Sequence, residues 1–209
     1  MPNLLTLAIT ESKPNLEYKV LAMDIECNKF YDMDLKLDEI SKDNKILWDL
    51  GGITSVDRLD LASSYNNNLV YKPLGNIKFI KSCSRKELKD LFKKNSIDLK
   101  KFYNEDITHG IIQIDYLDDI SIPGYRDGVF KSYIKVTAQG YQKREGILNK
   151  DYRWLNYWKH IYRQNRVNEK IEYFKTLVNE SIHQDSFLIM YKHNFRDSSQ
   201  RWISGFHWL

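Results

Sequence analysis

A chain of 209 residues with 42% hydrophobic and 29% charged side chains is long enough for a real core and too apolar for a disordered chain. It has only four prolines and nine glycines, and no apolar run near the roughly 20 residues of a membrane span, so neither long linkers nor a membrane partner is expected. The net charge of +4 hides an asymmetry, with a net −5 over residues 24–60 and a net +5 over residues 141–209.

The chain reads as one domain, 1–209, with an acidic N-terminal part, 1–60, and a basic C-terminal part, 141–209. The opening MPNLLTLAITESKP has no positive region before its short apolar stretch. It predicts a strand over Leu4–Thr10 rather than a secretion signal. Cys27 and Cys83 fit neither a zinc spacing nor a disulfide framework, and they read as reduced thiols. The expected setting is therefore the cytoplasm or the interior of a virus particle. Lysine outnumbers arginine 23 to 9, and asparagine, isoleucine and tyrosine are frequent, the bias of an AT-rich coding genome.

Pro14-Asn15 predicts a turn, and Tyr18–Cys27, YKVLAMDIEC, a strand. Phe30–Lys45 is acidic and irregular. Ile46–Leu50 is apolar and is broken by Gly51-Gly52. Tyr65-Asn66-Asn67-Asn68 predicts a loop, since asparagine tolerates left-handed backbone. Leu69–Tyr71 and Asn76–Lys81 read as two short strands in a hairpin around Pro73 and Gly75. Ser84 stands three residues before Glu87, the spacing of a capping box, and predicts a helix over about 85–94. A second short helix follows over Ile97–Tyr103.

His109–Tyr116 and Val129–Ala138 read as strands, with turn chemistry at Pro123-Gly124 and Asp127-Gly128. From about 150 to 181 the apolar stripe is helical, with Trp154, Trp158 and Ile161 on one inward face. A slip at Asn165 marks a kink or two consecutive helices. FLIMYKHNF, RDSSQ and RWISGFHWL form a closing β-hairpin. No internal repeat shows. The fold class is α+β, with a mainly antiparallel sheet, a short capped helix and a long interrupted one.

VLAMDIEC places Asp24 and Glu26 two residues apart on a predicted strand, hence on one face. Paired carboxylates of this kind hold divalent metal in phosphodiester cleavage. The octapeptide resembles the first exonuclease motif of proofreading B-family DNA polymerases. That resemblance implies a metal-dependent nuclease with further aspartates, for which Asp115 or Asp118 would have to serve. The family's later motifs are missing: YNNNLVY ends without aspartate, and Tyr116 has Asp118 and Asp119 but no aspartate four residues on. Arg153 and His160, seven residues apart on a helix, resemble the pair of HEPN-type ribonucleases. That resemblance implies a helical bundle, which the strand-rich remainder of the chain does not fit. His109, His183, His193 and His207 are scattered without metal-ligand spacing.

No catalytic residue, metal site or cofactor is therefore assigned. Residues 141–170 combine bases with Tyr and Trp, a composition suited to nucleic acid or to a protein interface. Arg163, Arg166 and Lys170 step along a helix as a basic contact strip, and Trp202, Phe206 and Trp208 share one side of the last strand. These six are the expected partner-binding residues. The expected function is a non-enzymatic structural or adaptor subunit of a larger assembly, such as a phage or virus particle. Its partners would be other protein subunits or copies of itself. The alternative is a nucleic-acid-binding protein or nuclease using Asp24, Glu26 and the strip over 153–170.

Overall fold

The computed structural model describes residues 1–13, 17–42, 45–181 and 185–209. The expected turn at Pro14-Asn15 and His183 lie outside them. The chain divides into two compact units, Met1–Leu88 with His193–Gln200, and Lys89–Lys192 with Arg201–Leu209, whereas the sequence alone reads as one domain. The α+β class and the mainly antiparallel sheets are as expected.

The first unit contains β1 (Asn3–Lys13), β2 (Glu17–Asp24), β3 (Phe30–Lys36), α1 (Leu37–Ile40), β4 (Ser41–Lys42), β5 (Lys45–Ile46), β6 (Gly52–Tyr65) and β7 (Asn68–Ser82). Five of these strands close a barrel in the order β1-β2-β3-β7-β6. The fourth long strand, β6, returns to lie beside β1, which is Greek-key connectivity. Every neighbour in the ring is antiparallel except β3 and β7, which pair in parallel at Asp32↔Val70 and Met33↔Tyr71. Inward residues alternate along the strands, Val20 and Ala22 on β2 and Met33 and Leu35 on β3, and pack with Leu4, Trp48 and Val56.

Three expectations change here. Strand β2 stops at Asp24, so Glu26 lies in the following turn and shares no strand face with it. The two short strands expected around Pro73 and Gly75 are one strand, β7, paired with β6 from Gly52↔Ser82 to Tyr65↔Asn68. Its turn is Asn66-Asn67, both in the left-handed region, a two-residue hairpin turn. Gly75 (φ +81°) is a bulge inside the strand: Asp57 accepts the Asn76 N–H at 2.7 Å, and a Cβ on Gly75 would lie 2.4 Å from that carboxylate. Only Gly52–Val56 of β6 is buried, so the strand carries little apolar signal in the sequence.

Helix α2 (Arg85–Asn95) follows, with the expected box intact: the Ser84 N–H donates to Glu87 Oε2 at 2.7 Å and the Glu87 N–H to Ser84 Oγ at 3.2 Å. The second unit continues with α3 (Leu99–Asn104), β8 (His109–Ile114), β9 (Tyr116–Arg126), β10 (Val129–Ala138), β11 (Tyr141–Gln142) and β12 (Ile147–Leu148). Then come α4 (Tyr152–Arg163), α5 (Val167–Asn179), β13 (Ser186–Asn194) and β14 (Ser199–Trp208). The interrupted helix is thus two helices, separated by Asn165 in the left-handed region.

β8 and β9 form one nearly continuous course. β9 pairs β10, β10 pairs β12, β14 neighbours β13, and β13 pairs β8, all antiparallel where the register is defined. A parallel bridge between Asn149, just after β12, and Ile203 of β14 joins the two sheets. Taking β8–β9 as one strand, this unit runs strand, strand, strand, helix, strand, strand, with the third course beside the fifth in parallel. The first unit has the same connectivity. No repeat shows in the sequence because the architecture requires alternation and turns rather than particular residues. Pro123-Gly124 is not a turn either. It lies inside β9 at a bulge, where the ring of Tyr162 on α4 comes within 2.6 Å of where a Gly124 Cβ would stand.

Candidate functional site

Strand β10 sets out the most regular surface of the second unit. Phe130, Ser132, Ile134, Val136 and Ala138 are buried, and Lys131, Tyr133, Lys135 and Thr137 alternate with them on the outer face. The inward face is held from behind. Phe130, Ile134 and Val136 join a core with Leu117, Ile120, Trp154, Trp158 and Ile161. Trp154 Nε1 also donates to Ser132 Oγ at 2.8 Å. The expected inward face of α4 is therefore inward, and it backs the strand that carries the outer patch.

On that patch Tyr133 stands directly opposite Ser121 of β9, and Lys135 opposite Asp119. These four residues and Gly146 line a shallow cavity of about 400 Å³, within the size range of small-molecule and nucleobase sites. Gly146 keeps it open, since a Cβ there would lie 2.9 Å from Tyr133 Cβ. Lys131 and Lys135 form no ion pair among the described residues, and both are half-buried. Arg126 at the end of β9 and Arg144 in the β11–β12 loop are exposed.

The β11–β12 loop is fixed beside the patch by Tyr103, whose ring has Lys143 Nζ at 4.9 Å and the Arg201 guanidinium at 5.3 Å. Burial pushes the Tyr103 hydroxyl up to about 12 despite Arg201, so the ring stays neutral between two cations. Sequence reasoning missed this patch. The period-two alternation of FKSYIKVTA is the available signal, and by itself it indicates only a strand.

The six residues expected to bind partners are placed differently from one another. Arg163 ends α4 and is exposed, Arg166 caps α5, and Lys170 lies on α5. Glu169 takes up two of them, with contacts of 2.6 Å to Arg166 and 3.5 Å to Lys170. Trp202 and Phe206 are buried, and Trp208 packs against the same unit's core. Phe206 meets Trp154 at 5.3 Å and Phe174 at 6.0 Å, and Trp208 meets Phe174 at 6.5 Å. Phe206 and Trp208 are thus covered by α4 and α5 of their own unit, and Trp202 packs against Tyr191 of β13 at 4.9 Å.

Asp24 Oδ1 accepts the Glu26 N–H at 2.9 Å, the role of a turn residue. Asp118 accepts from Thr137 Oγ1 at 2.9 Å, and Asp115 accepts the Gly140 N–H at 3.3 Å. Among the described residues no three His, Cys, Asp or Glu side chains are grouped as metal ligands would be. Arg153 and His160 are both exposed on α4, in a unit whose framework is strands rather than a helical bundle. Cys27 and Cys83 are free. No described helix is long and apolar enough to cross a membrane.

The molecule is thus an α+β protein of two five-course Greek-key rings, one closed as a barrel, the second bearing a basic, tyrosine-centred face. No protein-family model matches the chain, and no curated protein matches it. Among solved structures it is similar to the Ifi202 HINa domain, determined in complex with 20-bp double-stranded DNA, at 7% identity and a TM-score of 0.39. The match covers 99% of this chain and 93% of that one, a likeness too distant to carry an argument.

Proposed function

We propose that this protein acts by binding single-stranded nucleic acid on the outer face of β9 and β10. The observation that carries the reading is the set Lys131, Tyr133 and Lys135 on one side of one strand. Alternate cations along a strand suit successive phosphates, and an aromatic ring between them suits an unpaired base. Five-stranded Greek-key barrels of the oligonucleotide-binding kind use a sheet face in this way, an analogy of architecture that adds to the site chemistry without replacing it. The strip over Arg163, Arg166 and Lys170 is less suited, because Glu169 already neutralises part of it.

The test is fluorescence anisotropy with a labelled thymidine strand of about 12 nucleotides, within the site sizes of such domains. Tyr133→Ala is expected to weaken binding by about 1–3 kcal/mol. Lys131→Ala with Lys135→Ala is expected to reduce the salt dependence by about 0.7 in slope for each phosphate no longer neutralised. Absence of binding at low salt with protein at about 100 µM, the weak end of non-specific association, overturns the reading.

A second reading, a structural or adaptor subunit meeting other subunits or copies of itself in a phage or virus particle, has its own support. The β6–β7 hairpin exposes Leu61, Tyr65 and Leu69 near its turn. Replacing Leu61 and Leu69 by aspartate and following oligomeric state by light scattering tests it. Under this reading the native chain associates and the variant does not.

A further inference from the structure

We infer that the cavity beside Tyr133 selects guanine among the bases of a bound single strand, an inference that rests on the reading of this face as a nucleic-acid surface. The observation is the carboxylate of Asp119. A face that met only phosphate would be weakened by it, because an ionised carboxylate is an acceptor and repels phosphate oxygens. Yet Asp119 lines the same cavity as Tyr133, Lys135, Ser121 and Gly146.

Its structural contacts engage only one of its two oxygens, Oδ1. Lys135 is its cross-strand neighbour, where a pairing of opposite charges would be favourable, but no ion pair joins the two. The cation that does approach is Lys175 of α5, at 3.9 Å from Oδ1, with the Asp119 side chain 53% exposed. Oδ1 also accepts the Ile120 N–H at 2.9 Å. A carboxylate has about four lone-pair sites, so Oδ2 and one remaining site of Oδ1 are left for donors.

What sits against an acceptor-only group must present donors. Guanine has two adjacent donors on its Watson–Crick edge, N1–H and the 2-amino group, at the spacing of two carboxylate oxygens. Adenine and cytosine offer one amino group beside an acceptor, and thymine and uracil a single N–H between two carbonyls. The guanine O6, next to N1, needs a donor in turn, and Ser121 or Lys135 supplies it. Tyr133 provides the stacking surface, and Gly146 lines the cavity beside it without a side chain.

The experiment compares, by anisotropy, an all-thymidine strand of about 12 nucleotides with strands carrying one central guanosine or one central inosine. Inosine keeps N1–H and O6 and lacks the 2-amino group. One guanosine is expected to tighten binding about tenfold, as a good bidentate pair does, with inosine losing most of the gain. Asp119→Asn, an exposed position checked for folding by circular dichroism, is expected to bind the guanosine and thymidine strands alike. Equal affinity for guanosine, inosine and thymidine strands overturns the base preference and leaves the binding face standing. A guanosine preference that survives in Asp119→Asn overturns the role of the carboxylate. Failure of every strand to bind overturns the face and the preference together.

Discussion

Trp154 on α4 donates its indole N–H to Ser132 Oγ on β10 at 2.8 Å, while Tyr133, the next residue, points the other way. One strand thus carries a buried anchor and an outer ring on consecutive residues. Ser132→Ala leaves a buried indole N–H without its acceptor and is expected to cost about 1–3 kcal/mol. Thermal melting checks the loss. Affinity for a thymidine strand, measured well below the melting temperature, should move far less than it does in Tyr133→Ala.

The cavity depends on a residue that contributes no side chain. In Gly146→Val the new atoms would meet Tyr133, whose Cβ would lie 2.9 Å from the first of them. Binding is expected to weaken by an amount comparable to that of Tyr133→Ala, with the fold retained by circular dichroism. Unchanged affinity in a folded Gly146→Val protein would place the contact surface elsewhere.

The capping box predicts both a mutational and a pH effect. Ser84→Ala is expected to cost about 1 kcal/mol without altering what the protein binds. The hydrogen bond from Lys81, followed by those from Ser84, lowers Glu87 from its ordinary 4.5 to about 2. A carboxylate whose folded value is depressed adds stability above its unfolded value and loses it as pH falls through the folded one. The contribution is therefore full above about 4.5 and is lost toward about 2. Melting temperature against pH should fall less steeply across this window in Glu87→Gln than in the native chain.

Asp151 is a cap of another kind. It is 2% exposed and accepts the N–H groups of Arg153 at 2.8 Å, Trp154 at 3.2 Å and Phe206 at 2.8 Å. Burial pushes its carboxyl up, and those hydrogen bonds oppose the shift. Asp151→Ala loses the helix cap, about 1 kcal/mol, and strands the buried Phe206 N–H, about 1–3 kcal/mol more. Chemical denaturation should show the combined loss, larger than that of Ser84→Ala.

Deleting Gly205–Leu209 removes Phe206 and Trp208 from beneath α4 and α5. Because these rings are covered within their own unit, the loss is expected first in folding: a lowered melting temperature and exposed apolar surface. A truncated chain that melts as the native one does, yet fails to associate, would return these residues to a partner interface.

Much of the local structure is legible in the sequence because it is decided by neighbours in the chain. The Ser84–Glu87 box, the left-handed Asn66-Asn67 turn, the inward stripe of Trp154, Trp158 and Ile161, and the closing hairpin each rest on residues a few positions apart. The two helices meeting at Asn165 are visible as a slip of period. Only the tertiary structure decided the rest, because it depends on partners far away in sequence. The bulge at Gly75 needs Asp57, and the bulge at Gly124 needs Tyr162. Phe206 and Trp208 pack inward because α5 supplies Phe174 to cover them. Glu26 left the strand face because β2 ends at the turn that Asp24 holds. The outer patch was hidden for the same reason: Tyr133 and Lys135 lie on one strand, but Ser121, Asp119 and Gly146 reach them only through the β9 and β12 ladders. Period-two alternation shows that a strand has two faces, and pairing alone determines what lies beside each of them.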